Sequence, residues 1–245
     1  MDGRMVEATV VIAVHNEEGN LIPLMEEIKG AFSGWSYEIL FVDDGSVDGS
    51  AAEIRQLKDR YPDTVTLVTH AERCGKSTAL VTGGRAARYP WLGTMDGDGQ
   101  DDPKDLAAML RVAARAQQEG SDHFLCVCGH RVSRKDFLLK RIASKTANRV
   151  RRSLLRDDTP DTACGLKVFR RDDFLQIPHF NNMHRFFPAL FMRSGGRTVS
   201  VPVTNRPRRL GQSKYGIHNR LWVGIIDMLG VAWLQRRPTN SKIRL

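Results

Sequence analysis

The seven residues Asp96-Gly-Asp-Gly-Gln-Asp-Asp102 hold four carboxylates. Carboxylates crowded this closely repel one another and raise each other's pKa unless a cation sits among them. A hard divalent ion is the natural neutraliser, because Mg2+ and Mn2+ prefer carboxylate, amide and water oxygens. Gly97 and Gly99 allow a sharp turn and the close approach of a ligand. Asp101 and Asp102 directly precede Pro103 and admit a plainer role, as a solvated acidic turn capping the helix that Pro103 opens. Two further acidic pairs, Glu17-Glu18 and Asp43-Asp44, each follow an apolar run. Cys74-Gly-Lys-Ser-Thr78 imitates a phosphate-binding loop, but the glycine such a loop needs five positions before Gly75 is His70, and the glycine-rich cradle is missing. Lys76 is left with two readings, a phosphate contact or simply a helix start.

These groups must be held by a scaffold, and the first half of the chain supplies an alternating one. Thr9–Val14, Tyr37–Val42, Val65–Thr69 and Trp91–Met95 read as strands. Between them lie a helical stretch through Leu21, Leu24, Met25 and Ile28, then Ala51–Tyr61 and Ser77–Arg88, with Pro103–Glu119 following. Strands alternating with helices of this length predict an α/β fold with a mostly parallel sheet flanked by helices. Each acidic group then falls at the carboxyl end of a strand, where open α/β sheets bind ligands. Beyond residue 120 the rhythm changes. His123–Gly129 reads as a further strand. Lys135–Leu155 reads as a helix with Leu138, Ile142, Val150 and Leu154 on one side and basic residues around them. Such a helix either packs on a core with a solvated basic face or lies on an anionic membrane surface.

The chain of 245 residues carries a net charge of +9, which calls for an anionic partner. The charge is uneven: residues 129–156 contribute +9 and residues 203–245 contribute +8, so the remainder is acidic at −8. A nucleic-acid-binding role is excluded, since aromatics are 7%, no recognition motif is visible and the acidic cluster would be unexplained. The four cysteines form no Cys-x-x-Cys pair; Cys126 and Cys128 alternate as strand residues, pointing to a reducing compartment. Ala8–Val14 is too short for a secretory signal, and Leu221–Leu234, which contains Asp227, is shorter than the roughly 20 residues of a membrane span.

Six segments in series resemble one family. Val10-Val-Ile-Ala-Val-His-Asn-Glu17, Phe41-Val-Asp-Asp-Gly-Ser-Val-Asp-Gly49 and Asp96-Gly-Asp-Gly-Gln-Asp-Asp-Pro103 are followed by Gly129-His-Arg131. Asp161-Thr-Ala-Cys-Gly-Leu-Lys-Val-Phe-Arg170 and Arg209-Leu-Gly-Gln-Ser-Lys-Tyr-Gly216 complete the set. Together they look like family 2 glycosyltransferases of the GT-A (Rossmann-like) fold, in the branch of dolichyl-phosphate mannose synthases and bacterial polyprenyl-phosphate glycosyltransferases. The resemblance covers roughly residues 8–216. It implies a glycosyltransferase domain over 1–216 and a C-terminal apolar and basic helical segment over 217–245, membrane-associating or docking.

The implied activity is inverting transfer of a sugar from a UDP- or GDP-linked donor to a polyprenyl phosphate. The enzyme would work on the inner face of the cytoplasmic membrane, attached peripherally or through a separate small membrane protein. Ala13, His15 and Glu17, with Asp43 and Asp44, would hold base and ribose. Asp96 and Asp98 form the DxD motif and, with Gln100, would hold Mg2+ or Mn2+ on the diphosphate. Arg131, Arg209 and Lys214 would meet donor or acceptor phosphate, and Asp161 matches the position often proposed as base. A lipid phosphate is largely deprotonated at neutral pH, so Asp161 is expected to position the acceptor or an adjacent arginine rather than remove a proton. Three departures stand out. His15 replaces an aromatic residue, Lys167 stands where the family often has Arg, and the chain ends soon after one short apolar segment where bacterial relatives often carry two membrane spans. Leu221–Leu234, with Trp222 and Trp233 near its ends, reads as a buried core helix, an interfacial anchor or a docking helix. A soluble saccharide acceptor and a catalytically silent scaffold are the competing readings.

Overall fold

Runs such as Val10-Val-Ile-Ala-Val14 and Ile39-Leu-Phe-Val42 are apolar at every position, as strands covered on both faces must be. The computed structural model describes residues 7–132, 151–157, 159–208 and 217–237, and of 217–222 the backbone alone. The first half comprises β1 (Glu7–Val14), α1 (Leu21–Ala31), β2 (Ser36–Asp43), α2 (Ser50–Arg60) and β3 (Val65–Thr69), then α3 (Lys76–Ala86), β4 (Trp91–Asp96) and α4 (Pro103–Gln118). The second half comprises β5 (Leu125–Arg131), a helical segment α5 (151–155), β6 (Lys167–Arg170) and α6 (Arg171–Gln176). A single 3-10 turn (Met183–Arg185), α7 (Phe187–Arg193), β7 (Arg197–Val203) and α8 (Ile217–Gln235) complete it.

The strands form one sheet in the order β3-β2-β1-β4-β6-β5-β7. All neighbours are parallel except β6, which runs antiparallel to both β4 and β5. Alternate residues divide the core between the two faces. Val10, Ile12, Val14, Ile39 and Phe41 pack with Leu21, Met25, Ile28, Leu106 and Leu110 of α1 and α4. Val11, Leu40 and Val42 pack on the other face with Leu80, Phe174, Phe187 and Phe191 of α3, α6 and α7. At the end of the sheet where β1 and β2 begin, the buried carboxylate of Glu38 accepts hydrogen bonds from the hydroxyls of Thr9 and Thr66, each 2.8 Å, and from the N–H of Arg88 at 2.9 Å.

The expected first-half elements all form, β3 with the bounds read from sequence and the others within two residues or so. The strand expected over His123–Gly129 lies two residues later, because Phe124 takes a left-handed backbone (φ 46°) that an extended strand cannot contain. Of the helix expected over Lys135–Leu155, residues 151–155 are helical and the rest lie outside the described residues. Arg152, which was expected on its basic face, is exposed, whereas the neighbouring Arg151 is buried, donating to the Thr159 carbonyl (2.5 Å) and the Thr162 hydroxyl beside the buried Asp157.

Helix α8 is docked on one side only. Val231 and Ala232 are buried, and Gln235 donates to the Leu155 carbonyl at 2.8 Å. Arg193 reaches from α7 to the carbonyls of Leu234 and Arg237, each 2.9 Å, and so satisfies the helix's carboxyl end. Val223, Ile226, Leu229 and Trp233 form the opposite stripe and are 43%, 68%, 56% and 56% exposed. No helix among the described residues is long and apolar enough to cross a membrane.

Candidate active site

Parallel β1, β2 and β4 end on one edge of the sheet, and their last residues deliver the acidic groups there. Because β6 runs the other way, it begins where β4 ends, so the loop before it reaches the same edge: Thr94 pairs with Lys167, and the Thr94 hydroxyl donates to the Gly165 carbonyl at 2.7 Å. A cleft of about 320 Å³ opens there. Its lining includes Ala13, His15, Glu17 and Asp44 from the first two strand ends and Asp96, Asp98 and Gln100 from the third. Gly165 and Lys167 come from the β6 side, and Lys76, His184 and Arg208 from elsewhere in the chain.

The expected residues divide into those that face the cleft and those that hold it. His15 Nδ1 lies 2.9 Å from the Asp44 carbonyl. Asp43 is buried, accepts the Ser46 N–H at 3.0 Å and is not part of the lining. Asp44 accepts the N–H groups of Cys74 and Gly75, both at 2.8 Å, and meets His70 Nδ1 at 2.9 Å. Gly75 has φ 93°, a conformation glycine adopts without strain; together these bonds set the first residue of α3, Lys76, facing Asp96. Asp44, His70 and Cys74 also form a group of three potential metal ligands. Their donors are already engaged with one another, with backbone and with the Thr82 hydroxyl (2.9 Å from His70 Nε2), so they act as a loop anchor.

Arg131 and Asp161 meet in a bidentate pair, Nε and Nη2 each on one carboxylate oxygen at 2.7 and 2.9 Å. Neither lines the cleft, but Asp161 also accepts the N–H of Ala163, which does. Lys167 ties the same loop to the sheet by donating to the carbonyls of Thr162 (3.2 Å) and Cys164. Arg209 and Lys214 lie outside the described residues. Asp102 takes the plainer of its two readings and caps α4, accepting the Lys104 N–H at 2.9 Å.

The DxD carboxylates are not bare. Lys76 Nζ donates to Asp96, and Arg208 Nη2 donates to Asp98 at 2.6 Å. Burial works against charge on Asp96, yet Lys76 holds its pKa below the usual carboxylate value. Burial and the neighbouring Asp96 push Asp98 up, and push Asp101, whose Oδ2 accepts the Asp96 N–H at 3.3 Å, to about 7. Burial and the nearby Lys76 and Lys167 depress His184 well below an ordinary imidazole, so it is neutral; its Nδ1 lies 2.9 Å from the Ser77 hydroxyl. Asp98 and Asp101 thus remain short of positive charge even with Lys76 and Arg208 beside them. Hard oxygen donors in that condition suit a divalent ion.

Arg208 and His184 were not singled out from the sequence; Lys76, read there as a phosphate contact or a helix start, both opens α3 and faces the cleft, and Lys167, noted only as a departure from the family pattern, lines it as well. Arg208 adjoins the Arg209 chosen there, but its partner lies 110 positions away, a pairing that only the folded chain defines.

Residues 9–177 match the family model described as Glycosyl transferase family 2. A dodecaprenyl-phosphate galacturonate synthase of Rhizobium johnstonii is 32% identical over 94% of this chain and 68% of its own length. An undecaprenyl-phosphate 4-deoxy-4-formamido-L-arabinose transferase of Edwardsiella ictaluri is 29% identical over 85% of this chain and 63% of its own. The chain thus spans about two thirds of the length of the curated relatives it matches. Among solved structures, a Pyrobaculum calidifontis mannosyltransferase in complex with GDP-Man and Mn2+ superposes with a TM-score of 0.67 at 19% identity, over 98% of this chain and 66% of that one. A glucosyl-3-phosphoglycerate synthase of Mycobacterium tuberculosis with Mn2+ and UDP gives 0.65 at 17%, over 99% and 84%. The chain belongs to glycosyl transferase family 2 and has its GT-A fold.

Proposed function

We propose that this chain transfers a sugar, with inversion, from a UDP- or GDP-linked donor to a polyprenyl phosphate at the cytoplasmic face of the membrane. The observation that carries the reading is the placing of Asp96 and Asp98 in a cleft that also presents Lys76, Lys167 and Arg208. A carboxylate pair set among cations suits an ion and a diphosphate bound together, which neither group would hold alone. The sugars and lipids named for the relatives supply the acceptor class. Asp96, Asp98 and Gln100 would hold Mg2+ or Mn2+. The bound ion supplies stabilisation of negative charge on the departing nucleoside diphosphate. Ala13, His15, Glu17 and Asp44, which line the same cleft, would take base and ribose. Incubating the protein with Mn2+, a panel of UDP- and GDP-sugars and either vesicle-borne polyprenyl phosphate or soluble saccharides tests this. Sugar should pass to the lipid, and transfer only to soluble saccharides would refute the acceptor.

In this reading Asp161 aims Arg131 at acceptor phosphate. Both its oxygens accept from one guanidinium, and an acceptor that is already an anion has little need of a strong base. Asp161→Asn, which keeps an acceptor oxygen, should retain more than about a tenth of the wild-type rate. A fall of about 10³ or more would mark Asp161 as the base.

The exposed stripe of α8 is the proposed contact with the membrane. Ile226 and Trp233 project from it, and Arg236 and Arg237 follow, with the Arg237 guanidinium 5.2 Å from the Trp233 ring. Burying a side chain of this size gains roughly 1.5–3 kcal/mol. Ile226→Glu with Trp233→Glu should therefore weaken partition into anionic vesicles at least about tenfold, as read by vesicle sedimentation. Unchanged sedimentation would remove α8 from the membrane contact.

A further inference from the structure

The two cations on the DxD carboxylates are part of the chain, and a metal ion must contend with them. Asp98 offers two oxygens. Oδ1 accepts the N–H of Gln100 at 3.1 Å, and Oδ2 takes Arg208. The Asp98 side chain is 8% exposed, so little water competes for it. An arginine cannot relieve the contest by losing its proton, since guanidinium stays charged throughout the accessible pH range. It must move instead. Its mounting allows this: the backbone that carries it is pinned to the DxD turn two residues earlier, where the Arg206 N–H donates to the Gln100 carbonyl at 3.0 Å and its side chain pairs with Glu27 and Asp102. Arg208 therefore hangs on a long stem from a fixed point.

We propose that Arg208, with Lys76, stands in for the divalent ion, so that a free ion must expel Arg208 from Asp98 and binds tightly only when a diphosphate arrives to take the displaced guanidinium. The proposal rests on the reading of Asp96 and Asp98 as metal carboxylates and adds an order to it. With Arg208 in place the acidic pair is kept paired in the absence of substrate, and metal affinity becomes conditional on nucleotide. A guanidinium meets phosphate with the same forked hydrogen bonds it gives a carboxylate, so the exchange replaces one charge-assisted pair with another.

Free Mn2+ measured by electron paramagnetic resonance during titration of the full chain tests this without any turnover. Three proteins are compared: wild type, Arg208→Gln and Arg73→Gln. Arg73 lines the same cleft but makes no ion pair with Asp96 or Asp98, so it controls for loss of one positive charge at a distance. With Mn2+ alone, Arg208→Gln should bind about tenfold or more tightly than wild type, the scale of one charge-assisted pair, and Arg73→Gln should stay within about threefold. With saturating UDP or GDP the advantage of Arg208→Gln should vanish, because wild type then gains the exchange that the variant lacks. Equal Mn2+ affinity in wild type and Arg208→Gln, alongside nucleotide-dependent Mn2+ binding by wild type, overturns the stand-in role and leaves the metal reading intact. Equal tightening in both variants overturns it too, as a general charge effect. Absence of Mn2+ binding in every protein, with and without nucleotide, defeats the metal reading and this proposal together. Should Arg208→Gln not fold, Arg208→Met, which keeps most of the stem without the charge, takes its place.

Discussion

Asp98→Asn should lower kcat/KM for sugar transfer by about 10³-fold or more, which corresponds to about 4 kcal/mol of lost transition-state stabilisation. The carboxylate sits in the cleft with one oxygen on the turn of its own loop and the other on Arg208. Asparagine preserves the shape and the bond to the Gln100 N–H but removes the charge on which both an ion and Arg208 depend. Since the guanidinium is partly exposed, solvent can take over its hydration, and the melting temperature should change by no more than a few degrees. Initial rates at saturating Mn2+ with the donor identified by screening, together with a thermal melt, check both halves. A variant that folds and keeps a tenth of the rate would remove Asp98 from the reacting centre.

Gly165→Ala is the second large effect, and it adds a single methyl group. A Cβ at this position would lie 2.7 Å from Asp101 Oδ2 and 2.9 Å from Asp96 Cγ and Oδ2. The obstacle is space. The glycine carbonyl is tied to the Thr94 hydroxyl, and Lys167, two residues on, is paired in the sheet, so the loop has little freedom to withdraw. The two carboxylates must give way, and Asp96 is then carried off its line with Lys76. Misplacement of a reacting group by about 1 Å can cost about 10²-fold in rate, while overpacking costs about 1–3 kcal/mol in stability. The expected result is a melting temperature lower by several degrees and a rate lower by about 10²-fold, measured well below the melt. A rate within threefold of wild type would show that the carboxylates tolerate displacement.

How much of this was readable before folding depends on the range of the interactions concerned. The alternating first half was legible because each element is long enough to display its period and some carry their own boundary signals, as Asp102 and Pro103 mark the start of α4. The carboxylates of the cleft were legible for the same reason: in a parallel sheet, a residue just past a strand lies on the binding edge. β6 was not, since Lys-Val-Phe-Arg is too short for any periodicity, and its antiparallel course follows from where the chain re-enters the sheet. The pairing of Lys76 and Arg208 with the DxD carboxylates was hidden because ion pairs across 20 and 110 positions leave no local pattern. The charge arithmetic pointed outward, to an anionic partner, and Lys76 belongs to neither basic segment. Arg151, Arg206 and Arg208 come from the two basic segments, and in the folded chain each is paired with a carboxylate of its own.

The buried Glu38 has a consequence for how the strand ends come to lie level. The central strands are apolar at successive positions on both faces, so sliding β2 along β1 by two residues, about 7 Å, would exchange one buried aliphatic for another. Burial alone is nearly degenerate between such alignments, because the hydrophobic effect has no direction. The Thr9 and Thr66 hydroxyls and the Arg88 N–H break the degeneracy, since only one alignment gives all three to the same carboxylate. A polar cluster at one end of the sheet thereby chooses where Asp43 and Asp44 stand relative to Asp96 at the other.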